Sequence, residues 1–441
     1  MNSDDPAPSA EPRVRLTRRF ILILGIGAVL VAVLVGVSLG IRSTRRSAGT
    51  EPAVTASTSS PLSPRPTSAA TSPGADTTTP TVNSASPASE EPTAPEVRWS
   101  PELKTGPWPT SHVQGIAVDP DKGFVYYSFT TLLVKTDLSG KLVGTVGGFT
   151  GHLGDLTFNP DDGKVYGSLE YKDAKAFYVA IFDVDKVNRE DIQAMDSSIV
   201  STVYLPEVVD DFTADLSGDG QFAGDTARTD DHRYGASGID GIALGPKFGR
   251  TDGRNYLTVA YGIYDNTSRT DNDHQVLIQY DISGWDRIGR PLTEDDAHHR
   301  SPPTAGRKYF VYTGNTRYGV QTLTYDPWLE RWFLGVYPGH KTRFPNYSLF
   351  AVDAASPPKT KALTGLPGET GATLPLAGTG LRDSSTGIRG WRAEVEYGLE
   401  SLGDGLYYIA RSASSDGKHS AKLVLMSWAG DPDEPFQPVK Q

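Results

Sequence analysis

His112-Val-Gln-Gly-Ile-Ala-Val-Asp-Pro120 and His152-Leu-Gly-Asp-Leu-Thr-Phe-Asn-Pro160 are two copies of one pattern: a polar or glycine start, an alternating apolar strand and a turn. Gly238-Ile-Asp-Gly-Ile-Ala-Leu-Gly-Pro246 and Gly319-Val-Gln-Thr-Leu-Thr-Tyr-Asp-Pro327 repeat it, and Gly398-Leu-Glu-Ser-Leu-Gly-Asp404 reads as a weaker fifth copy. Alternation of period two marks half-buried strands, and Asp-Pro or Asn-Pro marks the turn of a hairpin. A second strand follows each copy: Phe124-Val-Tyr-Tyr, Lys164-Val-Tyr-Gly, Tyr256-Leu-Thr-Val, Trp332-Phe-Leu-Gly and Leu406-Tyr-Tyr-Ile. A third begins at Leu133, Ala180, Leu277, Leu349 and Leu423.

The apolar anchors of the copies, Ile116, Leu156, Ile242, Leu323 and Leu402, are spaced 40, 86, 81 and 79 residues apart. A period near 40 residues with several short strands per repeat is that of a β-propeller blade. The doubled spacings mean either hidden blades or long insertions. Each first strand meets one third strand before the next copy arrives, which favours five blades with long loops; six or seven stay open. Little chain follows Trp428, so a strand near Val97–Trp108 is expected to complete the last blade.

The repeats resemble those of bacterial extracytoplasmic β-propellers of the YVTN, NHL and lactonase-like groups, including membrane-anchored actinobacterial propellers. The resemblance is carried by His112–Ser128 and His152–Ser168, where the strand ending in Asp-Pro or Asn-Pro leads into Val-Tyr. It implies an all-β propeller. It implies no one activity, because those groups include lyases, lactonases and binding scaffolds.

Outward from the repeats the composition changes. Residues 1–19 are polar and end in an arginine cluster, and are expected to form a cytoplasmic tail. Residues 20–41, Phe20 to Ile41, carry no charge. As a helix they would be roughly 33 Å long, enough for a hydrocarbon core of about 30 Å. That length, with only a weak small-residue site at Ser38-Leu39-Gly40, favours an uncleaved transmembrane signal-anchor over a signal peptide. Residues 42–96 are rich in Ser, Thr, Pro and Ala without apolar periodicity, the composition of a disordered stalk. The expected topology is single-pass in the cell membrane, N-terminus inside, with residues 97–441 an extracytoplasmic propeller.

The 441 residues carry a net charge of -11. Residues 1–96 hold equal numbers of basic and acidic side chains, so the whole excess belongs to the propeller. An acidic surface argues against nucleic acid as a partner. The absence of cysteine excludes disulfides, thiolate nucleophiles and Cys-ligated metals. There is no phosphate-binding loop, dinucleotide fingerprint, G-x-S-x-G elbow or H-E-x-x-H motif, so no nucleotide or organic cofactor is indicated.

Residues at the starts of the inner strands of a propeller converge at the mouth of its channel. Aligned, the copies give the column His112, His152, Gly238, Gly319, Gly398. Two positions later stand Gln114, Gly154, Asp240, Gln321 and Glu400, and next to them Gly115, Asp155, Gly241, Thr322 and Ser401. His112, His152, Asp155, Asp240 and Glu400 are therefore candidates for catalysis or for a channel metal, and Gln114 and Gln321 for ligand binding. Against this stands a channel that holds only water. Asp215-Leu-Ser-Gly-Asp-Gly-Gln221 has the oxygen donors and glycine of a calcium loop without its final glutamate. Asp215, Ser217, Asp219, Gln221 and the nearby Asp225 are its expected donors, the alternative being a polar surface turn. Asp230-Asp-His-Arg-Tyr234, Thr270-Asp-Asn-Asp-His274 and His298-His299 read as surface loops. In the aromatic run from Trp328 to Phe350 most rings are expected in the core, with Trp328 the one exposed as a sugar-binding face.

Two functional readings follow. The favoured one is a membrane-anchored scaffold that binds a cell-wall polymer, a protein or a small ligand at the cell surface. The alternative is a metal-dependent hydrolase or lyase acting on a carbohydrate or lactone in the channel.

Overall fold

A computed structural model describes residues 99–195, 198–294 and 306–439. The chain divides into two units, Met1–Pro87 and Ala88–Gln441, and the described residues belong to the second. The expected tail, anchor helix and stalk, and the His298-His299 pair, lie outside them. Among the described residues no helix is long and apolar enough to cross a membrane.

The described chain is an all-β, five-bladed propeller. Blade one is Val113–Asp119, Phe124–Phe129, Leu132–Asp137 and Leu142–Gly147; blade two is His152–Asn159, Lys164–Tyr171, Ala176–Phe182 and Val200–Tyr204. Blade three is Ala236–Gly245, Tyr256–Ile263, His274–Tyr280 and Arg307–Tyr312. Blade four has three strands, Thr316–Asp326, Arg331–Pro338 and Leu349–Asp353, and blade five is Leu399–Gly403, Leu406–Ser415 and Lys418–Trp428. Within each blade consecutive strands pair antiparallel. The five inner strands touch in cyclic order, the fifth returning to the first.

The ring closes as the short C-terminal remainder requires. Glu102–Trp108 pairs antiparallel with Lys418–Trp428, so the start of the propeller supplies the last blade's fourth strand. Five apolar clusters fill the five gaps between blades. The Trp332 side chain is fully buried between blades three and four, and Trp391 between four and five. Most of the aromatic run is thus core; Tyr337 is half-buried and Trp328 is 56% exposed.

The long insertions are not blades. Ile192–Gln193 runs back to pair with the outer strand of blade one, and Arg290–Pro291 with that of blade two. The hairpin Lys359–Ala362/Thr370–Leu374 pairs with the outer strand of blade three. Each excursion thus covers the outer edge of the blade before it, removing an unpaired strand edge. Blade four is covered differently: Trp391 N–H and Leu349 O pair at 2.8 Å where a fourth strand would begin.

Strand register corrects one alignment. Ile116, Leu156, Ile242 and Leu323 lie opposite Tyr127, Gly167, Val259 and Leu334 on their second strands. In blade five the residue in that place is Leu399, opposite Ile409, and not Leu402. Cross-blade bonds agree. Leu399 N–H donates to Thr322 Oγ1 (3.2 Å), as Ile242 N–H donates to Asp155, one residue before the Leu156 anchor. The fifth copy is therefore displaced by three residues. Glu400 falls from the mouth to a position beyond the anchor, and Tyr397 takes the mouth position of Gln114, Asp240 and Gln321.

Candidate functional site

The channel opens at the strand starts into a cavity of about 1070 Å³. Its wall includes His112 and Gln114 from blade one, His152 from blade two, Asp240 from blade three, Gln321 from blade four and Tyr397 from blade five. Four of the expected mouth residues besides Gln321 are thus brought together, and Tyr397 completes the ring. Glu170, Lys172, Asp225, Glu294, Arg317 and the tyrosines 171, 318 and 337 extend the wall.

The most highly charged part lies where blades two and three meet. His152 and Glu170 are directly opposite each other across a hairpin, with Nδ1 to Oε1 at 3.3 Å. Lys172, just beyond the strand, places Nζ 3.3 Å from the same carboxylate oxygen and 3.7 Å from Asp225. The other oxygen of Glu170 accepts the Ile239 N–H of blade three at 3.0 Å. Gly238 makes this crossing possible: its φ is +127°, and a Cβ there would lie 2.0 Å from Glu170 Oε2. Burial pushes the Glu170 carboxyl up, but the Lys172 charge, His152 and the Ile239 amide hold it below its ordinary value. Burial pulls His152 down, yet Glu170 and the neighbouring Asp240 carry it above the ordinary imidazole value.

Asp240 is buried beside this group. Burial, reinforced by the charge of Glu170, pushes its carboxyl up to about 7, against the pull of His152 and Lys172. Its Oδ1 accepts no hydrogen bond of good geometry among the described residues. His112 carries no matching carboxylate; burial lowers its pKa, Nδ1 lies 2.9 Å from the Val113 carbonyl, and its ring meets Tyr397 edge-on.

On the blade-four part of the wall, next to blade three, stands Tyr318, 49% exposed with φ +65°. A tyrosine in the left-handed region costs roughly 1–2 kcal/mol. The strand is irregular here because Gly319, also at positive φ, presses against the Tyr261 carbonyl, where a Cβ would come to 2.2 Å. Gln321 Nε2 donates to the Tyr318 carbonyl at 3.0 Å, and the Arg317 guanidinium lies 5.1 Å from the Tyr318 ring centre. The local strain presents an aromatic face to the cavity rim.

Asp155 and Glu400 do not line the cavity. Asp155 Oδ2 accepts the Leu323 N–H at 2.8 Å and the Ile242 N–H at 3.3 Å, joining blade two to blades four and three. Burial raises its pKa well above the carboxylate range although these amides oppose the rise. Gly115 gives it room, since a Cβ there would lie 2.4 Å from Asp155 Oδ1. Glu400 accepts the Val118 N–H at 3.3 Å, and burial pushes it up to about 8. Trp328 stands at the other end of the blade-four inner strand from Gln321, its ring over Gly405.

In the Asp215 loop the carboxylates accept the loop's own amides. Asp215 takes Gly218 N–H at 2.6 Å and Gly220 N–H at 2.7 Å, and Asp219 takes Gln221 N–H at 2.8 Å. Ser217 Oγ also donates to Asp215, at 3.2 Å. Asp225 faces elsewhere, hydrogen-bonded by the Tyr264 hydroxyl and near Lys172 on the cavity wall. No group of three or more His, Asp or Glu side chains is set to hold a metal among the described residues.

Sequence reasoning missed Glu170, Lys172 and Tyr397. A glutamate in the mainly buried strand Lys164–Tyr171 was a signal for the first. No family model and no curated protein matches the chain. Among the solved structures similar to it are two propeller-scale matches. The Dos1 propeller is 12% identical over 75% of this chain and 82% of that one, with a TM-score of 0.28. The hydrazine synthase of Kuenenia stuttgartiensis is 11% identical over 72% and 84%, with a TM-score of 0.31. At these scores neither carries an argument, and the blade count rests on the strand pairing.

Proposed function

We propose that this protein is a ligand-binding propeller held outside the cell membrane by residues 20–41 and carried on a stalk of residues 42–96. Its cavity takes a polar, hydroxyl-rich ligand such as a saccharide unit of an envelope polymer. The observation that carries the reading is the convergence of side chains from all five blades on one open cavity that mixes ion-paired carboxylates, amides and tyrosine faces. Hydroxyl-rich ligands need paired donors and acceptors for their edges and aromatic faces for their C–H surfaces. The repeat's resemblance to extracytoplasmic propellers supports the placement.

The hydrolase or lyase reading is not favoured. It drew on five channel residues, and two of them, Asp155 and Glu400, have a carboxylate oxygen engaged with backbone amides below the cavity. A calcium ion belongs to the proposal as an ordering ion of the 215–221 loop, tested by heat on titrating calcium into the protein.

The main test is titration of the full-length chain with oligosaccharides released from the cell envelope. Saturable binding that Tyr318→Ala and Asp240→Asn weaken about tenfold or more is expected, the loss of one or two buried contacts. No binding, or binding indifferent to both variants, overturns the reading. Protease treatment of intact cells should release the propeller; protection would overturn the topology.

A further inference from the structure

A second cavity, of about 420 Å³, lies at the outer side of blade three. One wall is the excursion hairpin, where Lys359 and Lys361 stand two residues apart and so point to the same face of their strand. Thr373, directly opposite Lys359, shares that face. The opposing wall is Thr386, Gly387, Ile388 and Arg389. His274 and Tyr312, paired across adjacent strands, also line it.

The charge here is unlike the rest of a chain with net charge -11: three cationic side chains line the cavity and no Asp or Glu does. None of the three makes an ion pair among the described residues. Two further observations point to a ligand. Arg389 is paired directly opposite Arg382 in the two-residue ladder Leu381–Arg382/Arg389–Gly390, a like-charge juxtaposition that a nearby anion would ease. His274 is only 3% exposed, and its Nδ1 is buried with no hydrogen-bond partner among the described residues. A buried imidazole nitrogen without a partner carries a desolvation cost, and its ring belongs to the wall of this groove.

We infer that this groove is an oxyanion site, taking a phosphate or sulfate group, free or borne as an ester on a small molecule or glycan, between Lys359, Lys361 and Arg389. Arginine offers a planar fork suited to such a group and the lysines offer mobile point charges. The inference is independent of the main cavity, whose wall shares none of these residues.

The test titrates inorganic phosphate and inorganic sulfate separately into the full-length chain, following heat and the His274 imidazole resonances. One saturable site is expected, with His274 resonances moving in step. Binding should weaken about tenfold in Lys359→Ala/Lys361→Ala, the loss of two solvent-facing cations, while the melting temperature holds. Arg389→Ala should weaken it as well. Response to phosphate alone would assign a phosphate group, and response to both an oxyanion in general. No saturable binding of either anion, or binding unchanged in both variants, overturns the inference.

Discussion

The mouth and the middle of this channel hold the same kinds of side chain and use them in opposite ways. At the mouth, Glu170 faces His152 and Lys172, and Asp240 lines an open cavity beside them. One level down, Asp155 and Glu400 face backbone amides of neighbouring blades and no cation. The lesson is that a carboxylate's role follows from what faces it. Cations and open space leave it available to a ligand, whereas amides from other strands make it a brace.

The largest expected difference is in stability. Asp155→Ala leaves the Ile242 and Leu323 amides without an acceptor where three blades meet. At about 1–3 kcal/mol per orphaned buried amide, a loss of about 2–4 kcal/mol is expected in denaturant unfolding. Asp240→Ala, beside open space, should cost under about 1 kcal/mol. Equal losses would break the contrast between brace and mouth.

Next is pH. Glu400 is raised from 4.5 to about 8 and Asp240 from 3.8 to about 7. A raised carboxyl binds its proton more tightly in the folded state. Its contribution is therefore fully present below the unfolded value and is lost as pH rises through the folded one. Unfolding free energy should fall between pH 5 and 8, by on the order of 3 kcal/mol from Glu400. Glu400→Gln should flatten that slope; an unchanged slope would show that the carboxyl titrates normally.

A smaller effect is expected at the mouth pair. Glu170→Gln removes the carboxylate that holds His152 up, so the His152 imidazole should titrate lower by NMR, with about 1 kcal/mol lost in stability. No change in the His152 titration would mean that Asp240 alone sets it. The last comparison is Tyr397→Ala, on the cavity wall. It should weaken ligand binding about tenfold, while Glu400→Gln leaves affinity unchanged. The reverse result would restore Glu400 to the mouth and undo the corrected register.

Much of the fold was legible because its signals are local. Alternation, Asp-Pro and Asn-Pro turns and the trio of strands per copy each depend on a few neighbouring residues, and they produced five blades and the closing strand. The site was legible in four blades for the same reason, and His112, Gln114, His152, Asp240 and Gln321 do meet. Blade five misled because Gly398-Leu-Glu-Ser-Leu402 offers two leucines three residues apart, each a plausible anchor. Only pairing of Leu399 with Ile409 chooses between them. Glu170 was hidden by a similar slip. Counted back from the Asn159–Lys164 turn, a regular ladder would set Leu153 opposite Glu170; an irregularity between Leu153 and Leu156 sets His152 there instead.

The residue order of this chain therefore dictates strands, turns and the sign of its charge, and favours five blades over six or seven, since each arises from side-chain period, backbone preference or composition; strand pairing decided the blade number. Which carboxylates meet a histidine and which meet an amide was settled by bulges and by contacts between blades. Those depend on groups up to 282 residues apart, such as Val118 and Glu400. A one-residue shift in a strand reverses the direction of its side chains, and nothing local in the chain records where such shifts fall.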